Sequence, residues 1–396
     1  MTRKQAERNI RLYYWFQLFA EPFFWGPILI LFLQEMAHMS LSQILVMESV
    51  VVSGLIFLEV PSGALADLIG RKKTIFMGVC LFTIDRVFFT IAFNPLMAWT
   101  GNIIWMVGYS LVSGADSAFL CDTLVVLGRE DEFRKIQGRA ISYRLAAIAV
   151  SSVFAGYLAE VHMRLPLAIS LVTVFVNCFV VAKFKEPPRD KMEGKQLRDH
   201  WQLMKISVLF VANNMKVKWV IAFVVLIGAV SKVWFFTYNP YFVLVGLPVW
   251  TFGWIFFALG VIAAVSSYYA DWLNKKIGDL VSVVVMILVI GIPIVLMGCI
   301  VTKAMAFIIL LQNIVRGYIR PFTDHFLNSH LDSKNRATVL SIKSAAGSLG
   351  STMMLGMFGW MVGLYPLPFC LKILGTFTLI TGGIIILYYL KIFRRD

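Results

Sequence analysis

Gly63-Ala64-Leu65-Ala66-Asp67-Leu68-Ile69-Gly70-Arg71-Lys72-Lys73 is a charged stretch wedged between two long apolar runs. Membrane helices that stop and restart over so few residues must turn at a water interface, so Asp67 to Lys73 is expected to form a tight hairpin. Gly63 and Gly70 offer backbone freedom, and the small Ala64 and Ala66 let another helix approach. Arg71, Lys72 and Lys73 mark the cytoplasmic side, where membrane proteins concentrate basic loop residues. A fainter copy, Ala270-Asp271-Trp272-Leu273-Asn274-Lys275-Lys276, follows about half a chain later with no glycine beside its Asp. Repetition at that distance fits a protein built from two parallel halves. The missing glycines predict that the first loop carries the tighter conformational latch.

Composition places the rest of the chain in a bilayer. Of 396 residues, 59% are hydrophobic and 15% charged, and the mean hydropathy is +0.79; soluble domains carry about 25% charge. At roughly 20 apolar residues per crossing, twelve crossings leave only short loops and no room for a soluble catalytic or binding domain. A net charge of +14 raises nucleic acid as a partner, but the bases are distributed otherwise. Most of the 36 Lys and Arg fall in the termini and loops of one side, with only Arg164 and Lys303 on the other. That asymmetry reports topology, with both termini cytoplasmic. Residues 1–11 are charged and lack a small-residue cleavage site, so the first apolar run is expected to be a retained helix. Cys80, Cys121, Cys178, Cys299 and Cys370 show no paired spacing and read as small core residues, forming neither a disulfide framework nor a zinc site.

The first stretch resembles the signature between the second and third helices of the major facilitator superfamily, roughly G-x-L-x-D-x-x-G-R-[KR]. Gly63, Leu65, Asp67, Gly70, Arg71 and Lys72 occupy every keyed position. The resemblance implies an all-α integral membrane protein of twelve transmembrane helices in two pseudo-symmetric six-helix bundles. Residues 1–184 would form the first bundle, 185–218 a cytoplasmic linker and 219–396 the second. In the linker, Leu197, Trp201, Met204, Val208 and Val211 fall on one helical face, as in a helix lying along the membrane surface. In that family the signature Arg pairs with an acid at the foot of helix four, here Asp122. The signature Asp faces the start of helix eleven, here Arg336-Ala337-Thr338. Asp67, Gly70, Arg71, Asp122 and, in the copy, Asp271 are therefore the expected latch. Helix five of its antiporters often carries G-x-x-x-G-P-x-x-G-G. Here Ser151-Ser152-Val153-Phe154-Ala155-Gly156 lacks the Gly-Pro, which argues against antiport and drug efflux.

Charges inside the apolar runs are the candidate site, because each costs about 2.5 to 3.5 kcal/mol near the bilayer centre. The first helix is expected over Leu12 to Leu33, loosened by Glu21-Pro22-Phe23-Phe24-Trp25-Gly26-Pro27. The third (Thr74 to Phe93) holds Asp85 and Arg86, the fourth (Met97 to Val126) Asp116, the seventh (Trp219 to Val243) Lys232 and Trp234, and the tenth (Ala304 to Phe326) Arg316 and Arg320. Asp85 and Arg86 can pair as structural glue, and Glu48, Glu59, Lys343 and Lys372 read as glue or snorkelling groups. Helix eleven offers a small-residue face, Ser344, Ser348 and Thr352, suited to close packing. Helices one, four, seven and ten line the cavity of the resembled family, which points to Glu21, Trp25, Asp116, Lys232, Trp234, Arg316 and Arg320; with Asp85 and Arg86, which fall near mid-membrane on the third helix, they form the expected binding or coupling set. Arg316, Arg320 and Asp324 share one helical face, and paired guanidiniums can hold a carboxylate or phosphate.

These residues predict a secondary transporter of a small anionic or zwitterionic solute, such as a metabolite or carboxylate siderophore. The chain has no G-x-x-x-x-G-K-[ST] loop for ATP, so a proton gradient is the expected energy source, no cofactor is expected, and Glu21 in its aromatic setting is the expected proton carrier. His38, His162, His200, His325 and His330 lack metal-binding spacing, which speaks against a metal and a membrane enzyme. The remaining alternatives are a proton-driven efflux pump and a transport-dead receptor or scaffold of the same fold. Expected partners are the solute and the lipid bilayer, not nucleic acid, for a monomer in a bacterial cytoplasmic membrane.

Overall fold

In lipid a chain satisfies every backbone N–H and C=O only within helices or a closed barrel. The computed structural model describes residues 1–20, 23–188, 214–330 and 333–393, and within them every side chain except those at 60, 328–338 and 341. All the long elements among them are α-helices: α1 (Arg3–Leu18), α2 (Trp25–Glu35), α3 (Leu41–Ile69), α4 (Arg71–Ile91), α5 (Pro95–Val112), α6 (Ala115–Leu127), α7 (Phe133–Val161) and α8 (Leu165–Ala182). After the linker come α9 (Met215–Leu244), α10 (Val249–Tyr268), α11 (Ala270–Cys299), the short α12 (Lys303–Ala306), α13 (Ile309–His330), α14 (Ser333–Leu364) and α15 (Leu367–Phe393). Nine spans among the described residues are long and apolar enough to cross a membrane. The broken first helix, α13 and α14 fit the other three of the twelve expected, and α13 and α14 carry Arg316, Arg320, Asp324 and Lys343. The amphipathic face expected over 197–211 lies outside the described residues.

Two expected helices are broken. The run Leu12 to Leu33 divides between α1 and α2, with Phe24 at a left-handed φ of 66°. Pro27 then falls in the first turn of α2, where the backbone N–H would have no helical partner anyway. Neighbours satisfy the groups that the break frees: the Phe23 carbonyl accepts from Ser170 Oγ, and the Phe24 N–H donates to Ser151 Oγ at 3.4 Å. The fourth helix breaks between Val112 and Ala115, where Gly114 has φ 80°. Pro240, by contrast, lies buried inside a continuous α9.

The chain divides into two compact units. The first comprises Met1–Met39, Ser53–Glu193 and Pro248–Phe257, so it takes in the start of α10. Its core is built from Tyr13, Phe16, Val79, Phe119, Leu124, Ala140 and Phe184, with Phe119 stacked on Phe184 at 4.5 Å. The α4 end is capped by Arg164, which donates to the carbonyls of Thr90 and Ala92 at 2.5 and 2.7 Å, a cation where the helix dipole favours one. The second unit comprises Ser40–Val52, Gly194–Leu247 and Ala258–Asp396. Its core centres on Trp219, which packs against Phe223, Phe326 and Tyr389 and donates its indole N–H to the Ile385 carbonyl at 2.9 Å. All five thiols are free; Cys370 is buried, but Cys121 and Cys299 are exposed on helix surfaces, against their expected core role.

Candidate functional site

The expected hairpin over Asp67 to Lys73 contracts to a single residue. Helix α3 runs through Asp67 to Ile69, Gly70 turns at φ 116°, and α4 starts at Arg71. Gly63 is helical and takes no part in the turn. Arg71 Nη1 pairs with Asp67 Oδ1 at 2.6 Å across the turn, and its Nε lies 3.6 Å from Asp122 Oδ2, as the resemblance implied. Glu186, which the sequence reading missed, completes the turn: its two carboxylate oxygens accept from the backbone N–H groups of Arg71 and Lys72 at 2.7 and 2.9 Å. An anion on the first N–H groups of a helix answers both their lack of partners and the dipole. Glu186 is held in place by Asn9, whose amide exchanges hydrogen bonds with the Lys185 backbone at 2.8 and 3.0 Å. The signal available in sequence was an acid just before Pro187 and Pro188. The expected contact of Asp67 with residues 336–338 falls on side chains outside the described set.

The second copy turns one helical turn later than its sequence alignment indicated. Gly278, at φ 77° and ψ 168°, breaks the run Ala270–Cys299 and is the counterpart of Gly70, so a glycine is retained after all. Among the described residues Asp271 pairs only with exposed Lys275, at 2.6 Å, back within its own helix. Asn274 spans the turn instead: it donates to Asp279 Oδ1 at 2.9 Å and accepts from Ser282 and Tyr318, each at 3.0 Å.

Inside the first unit the structure gathers Trp25, Asp85 and Arg86. Arg86 donates to Asp85 from Nε and Nη2 at 2.8 and 2.5 Å, and its guanidinium lies 3.9 Å from the Trp25 ring centre. Asp116 sits apart from them at the start of α6, just after the Gly114 break. It accepts from Gln17 Nε2 at 2.9 Å, and Gln17 also donates to Tyr13 OH at 3.0 Å. Glu21 lies outside the described residues.

In the second unit a cavity of about 560 Å³ is lined by Lys232, Arg320, Asp324, Lys343, Ser344 and Ser348, among others. Asp324 pairs with Lys343 at 2.9 Å and with Arg320 at 3.8 Å. Three cations thus face one carboxylate, and the wall keeps positive charge after that pairing. Ser344 and Ser348 line this cavity rather than a tight helix contact, whereas the Thr352 carbonyl does meet a neighbour, accepting from Ser49 Oγ at 2.8 Å. Lys343, read from sequence as glue, is both glue and lining. Two expected members fall outside the cavity. Trp234 is fully buried in the helix packing, because on α9 it lies on a face opposite to exposed Lys232. Arg316 is exposed with its guanidinium 5.9 Å from the Phe235 ring and does not line the cavity.

The family model of the Major Facilitator Superfamily matches residues 12–311. The chain belongs to this superfamily. A relative described as an uncharacterised MFS-type transporter, YxaM of Bacillus subtilis (strain 168), is 23% identical over 390 residues, covering 92% of this chain and 90% of that protein. The crystal structure of the nucleoside transporter NupG superposes with a TM-score of 0.77 at 13% identity, covering 98% and 99% of the two chains. That of a D-xylose-proton symporter gives 0.72 at 13%, covering 97% of each. At such identities these structures establish the fold alone. The superfamily assignment makes the protein an integral membrane transporter and not an enzyme.

Proposed function

We propose that the protein is a secondary active transporter that moves a small anionic or zwitterionic organic solute by alternating access, driven by the proton gradient. The observation that carries this reading is the cavity wall of Lys232, Arg320 and Lys343 around the single carboxylate of Asp324. A neutral solute or a lipophilic cation gains nothing from surplus ammonium and guanidinium groups, whereas a carboxylate or phosphate gains charge-assisted hydrogen bonds. The Ser151 to Gly156 stretch speaks against antiport. Ser151 there binds the first-helix break, in a segment that lacks the antiporter Gly-Pro.

Purified full-length protein in liposomes, offered a panel of carboxylates, phosphate esters, nucleosides and cationic dyes, tests the reading. Accumulation of an anionic solute under an inward proton gradient is expected. Arg320→Ala or Lys232→Ala should weaken its binding roughly ten- to a hundred-fold, the equivalent of one charge-assisted hydrogen bond of about 1.5 to 3 kcal/mol. Unchanged affinity in both variants, or transport confined to cationic dyes, would overturn the assignment.

A further inference from the structure

Asp85 and Arg86 are built unlike a structural ion pair. Asp85 is 0% exposed and Arg86 2%, and at ~1.5 Å per residue they lie about 20 Å along α4 from its cytoplasmic start. Neighbouring residues on a helix point about 100° apart, so the two side chains meet only by bending toward each other. A guanidinium facing a carboxylate squarely engages both oxygens. Here Nε and Nη2 both donate to Oδ2, while Oδ1 and Nη1 are buried without a hydrogen-bond partner. The guanidinium is covered by Trp25 at 3.9 Å and Phe89 at 5.3 Å, and Trp25 is the first residue of α2, directly after the break.

The other ionisable groups around α4 are engaged elsewhere. Arg164 at the head of α8 binds the Thr90 and Ala92 carbonyls, and Cys178 of α8 meets Thr83. Asp122 and Glu186 meet Arg71 and Lys72 at the opposite end, and Asp116 of α6 is bound to Gln17. Helix α5 carries no Asp, Glu, Lys, Arg or His, and the acid of α2, Glu35, is at its far end. Among the described residues, Asp85 therefore answers to Arg86 alone.

We propose that Asp85 is a proton-binding site whose charge state is transmitted through Arg86 and Trp25 to the break in the first helix. The inference rests on the proton-coupled reading above and moves the coupling carboxyl from Glu21 to Asp85. A lone pair of Oδ1 forms an O–H bond with a proton drawn from the aqueous phase. No other covalent bond changes, and the pair passes from net zero to net +1. The guanidinium then keeps only a neutral acceptor at Oδ2 and the π faces of Trp25 and Phe89. A buried cation with so little compensation is costly, and the strain falls on the ring that opens α2.

Infrared difference spectra of the full chain in lipid vesicles, between neutral and acidic buffer, test this without knowledge of the solute. A carbonyl-stretch band of a buried carboxylic acid is expected in wild type, retained in Glu21→Gln and lost in Asp85→Asn. If Asp85→Asn does not fold, Asp85→Glu should move the band rather than delete it. Trp25→Phe should shift the pH midpoint of the band, which a merely packing role for Trp25 would leave in place. No band in wild type, a band unchanged in either Asp85 variant, or an unmoved midpoint in Trp25→Phe overturns the proposal. A band that follows Asp85 while no solute accumulates under a proton gradient supports the site and rejects the coupled-transport reading.

Discussion

Gly70 concentrates the demands of the signature turn. Its φ of 116° is one that side-chain-bearing residues rarely adopt, and a Cβ there would lie 2.9 Å from Glu186 Oε1. Gly63 is helical and has nothing within 4 Å of an added Cβ. Gly70→Ala should therefore cost about 1 to 3 kcal/mol of backbone strain, and Gly63→Ala should be neutral or stabilising by up to about 1 kcal/mol. Thermal unfolding of the two purified variants in the same detergent checks the contrast, and equal midpoints would remove Gly70 from its special position. Glu186 acts on the same turn from outside it. Because its carboxylate is exposed, Glu186→Ala should cost only about 1 kcal/mol, a typical net value for one hydrogen bond, yet slow transport by loosening the start of α4 at Arg71 and Lys72. A variant with wild-type rates would show that the carboxylate only decorates the helix start.

Among the elements, the broken first helix is the one whose geometry depends most on its neighbours. At the break between α1 and α2, Ser170 of α8 and Ser151 of α7 reach in to the Phe23 carbonyl and the Phe24 N–H. Removing the Ser170 hydroxyl takes the donor from a part-buried carbonyl, which costs about 1 kcal/mol or more. Ser170→Ala should lower the unfolding midpoint of the purified protein more than Thr173→Ala one turn on, whose hydroxyl bonds only within its own helix, to the Ser170 carbonyl. Equal effects would mean that the break is held by packing alone. The same reasoning explains why the break was not placed from sequence: Pro22, Gly26 and Pro27 mark a weak helix, but α7 and α8 decide whether and where it opens.

For the molecule as a whole, the charge asymmetry predicts sidedness. In intact cells an impermeant thiol reagent should reach a cysteine placed at Leu364, the last residue of α14, and miss one placed at Glu130, between α6 and α7; the reverse pattern would invert the topology. The sequence alone determined the bilayer setting and the helical class, because lipid allows few solutions, and the Asp67 to Lys73 signature, whose residues are adjacent along the chain; the Arg71–Asp122 pair came only with the superfamily resemblance that the signature carries. It also placed Lys232, Arg320 and Asp324 on helices able to share a cavity. The tertiary structure decided what depends on residues distant in sequence. Glu186 caps a helix that begins 115 residues earlier, Lys343 joins Asp324 from the next helix, and Gly278 rather than Asp271 marks the second turn. Trp234 was withdrawn from the cavity for the same reason. Periodicity fixes which residues share a face, but only the packing of other helices decides whether that face meets solvent, a solute or a neighbour.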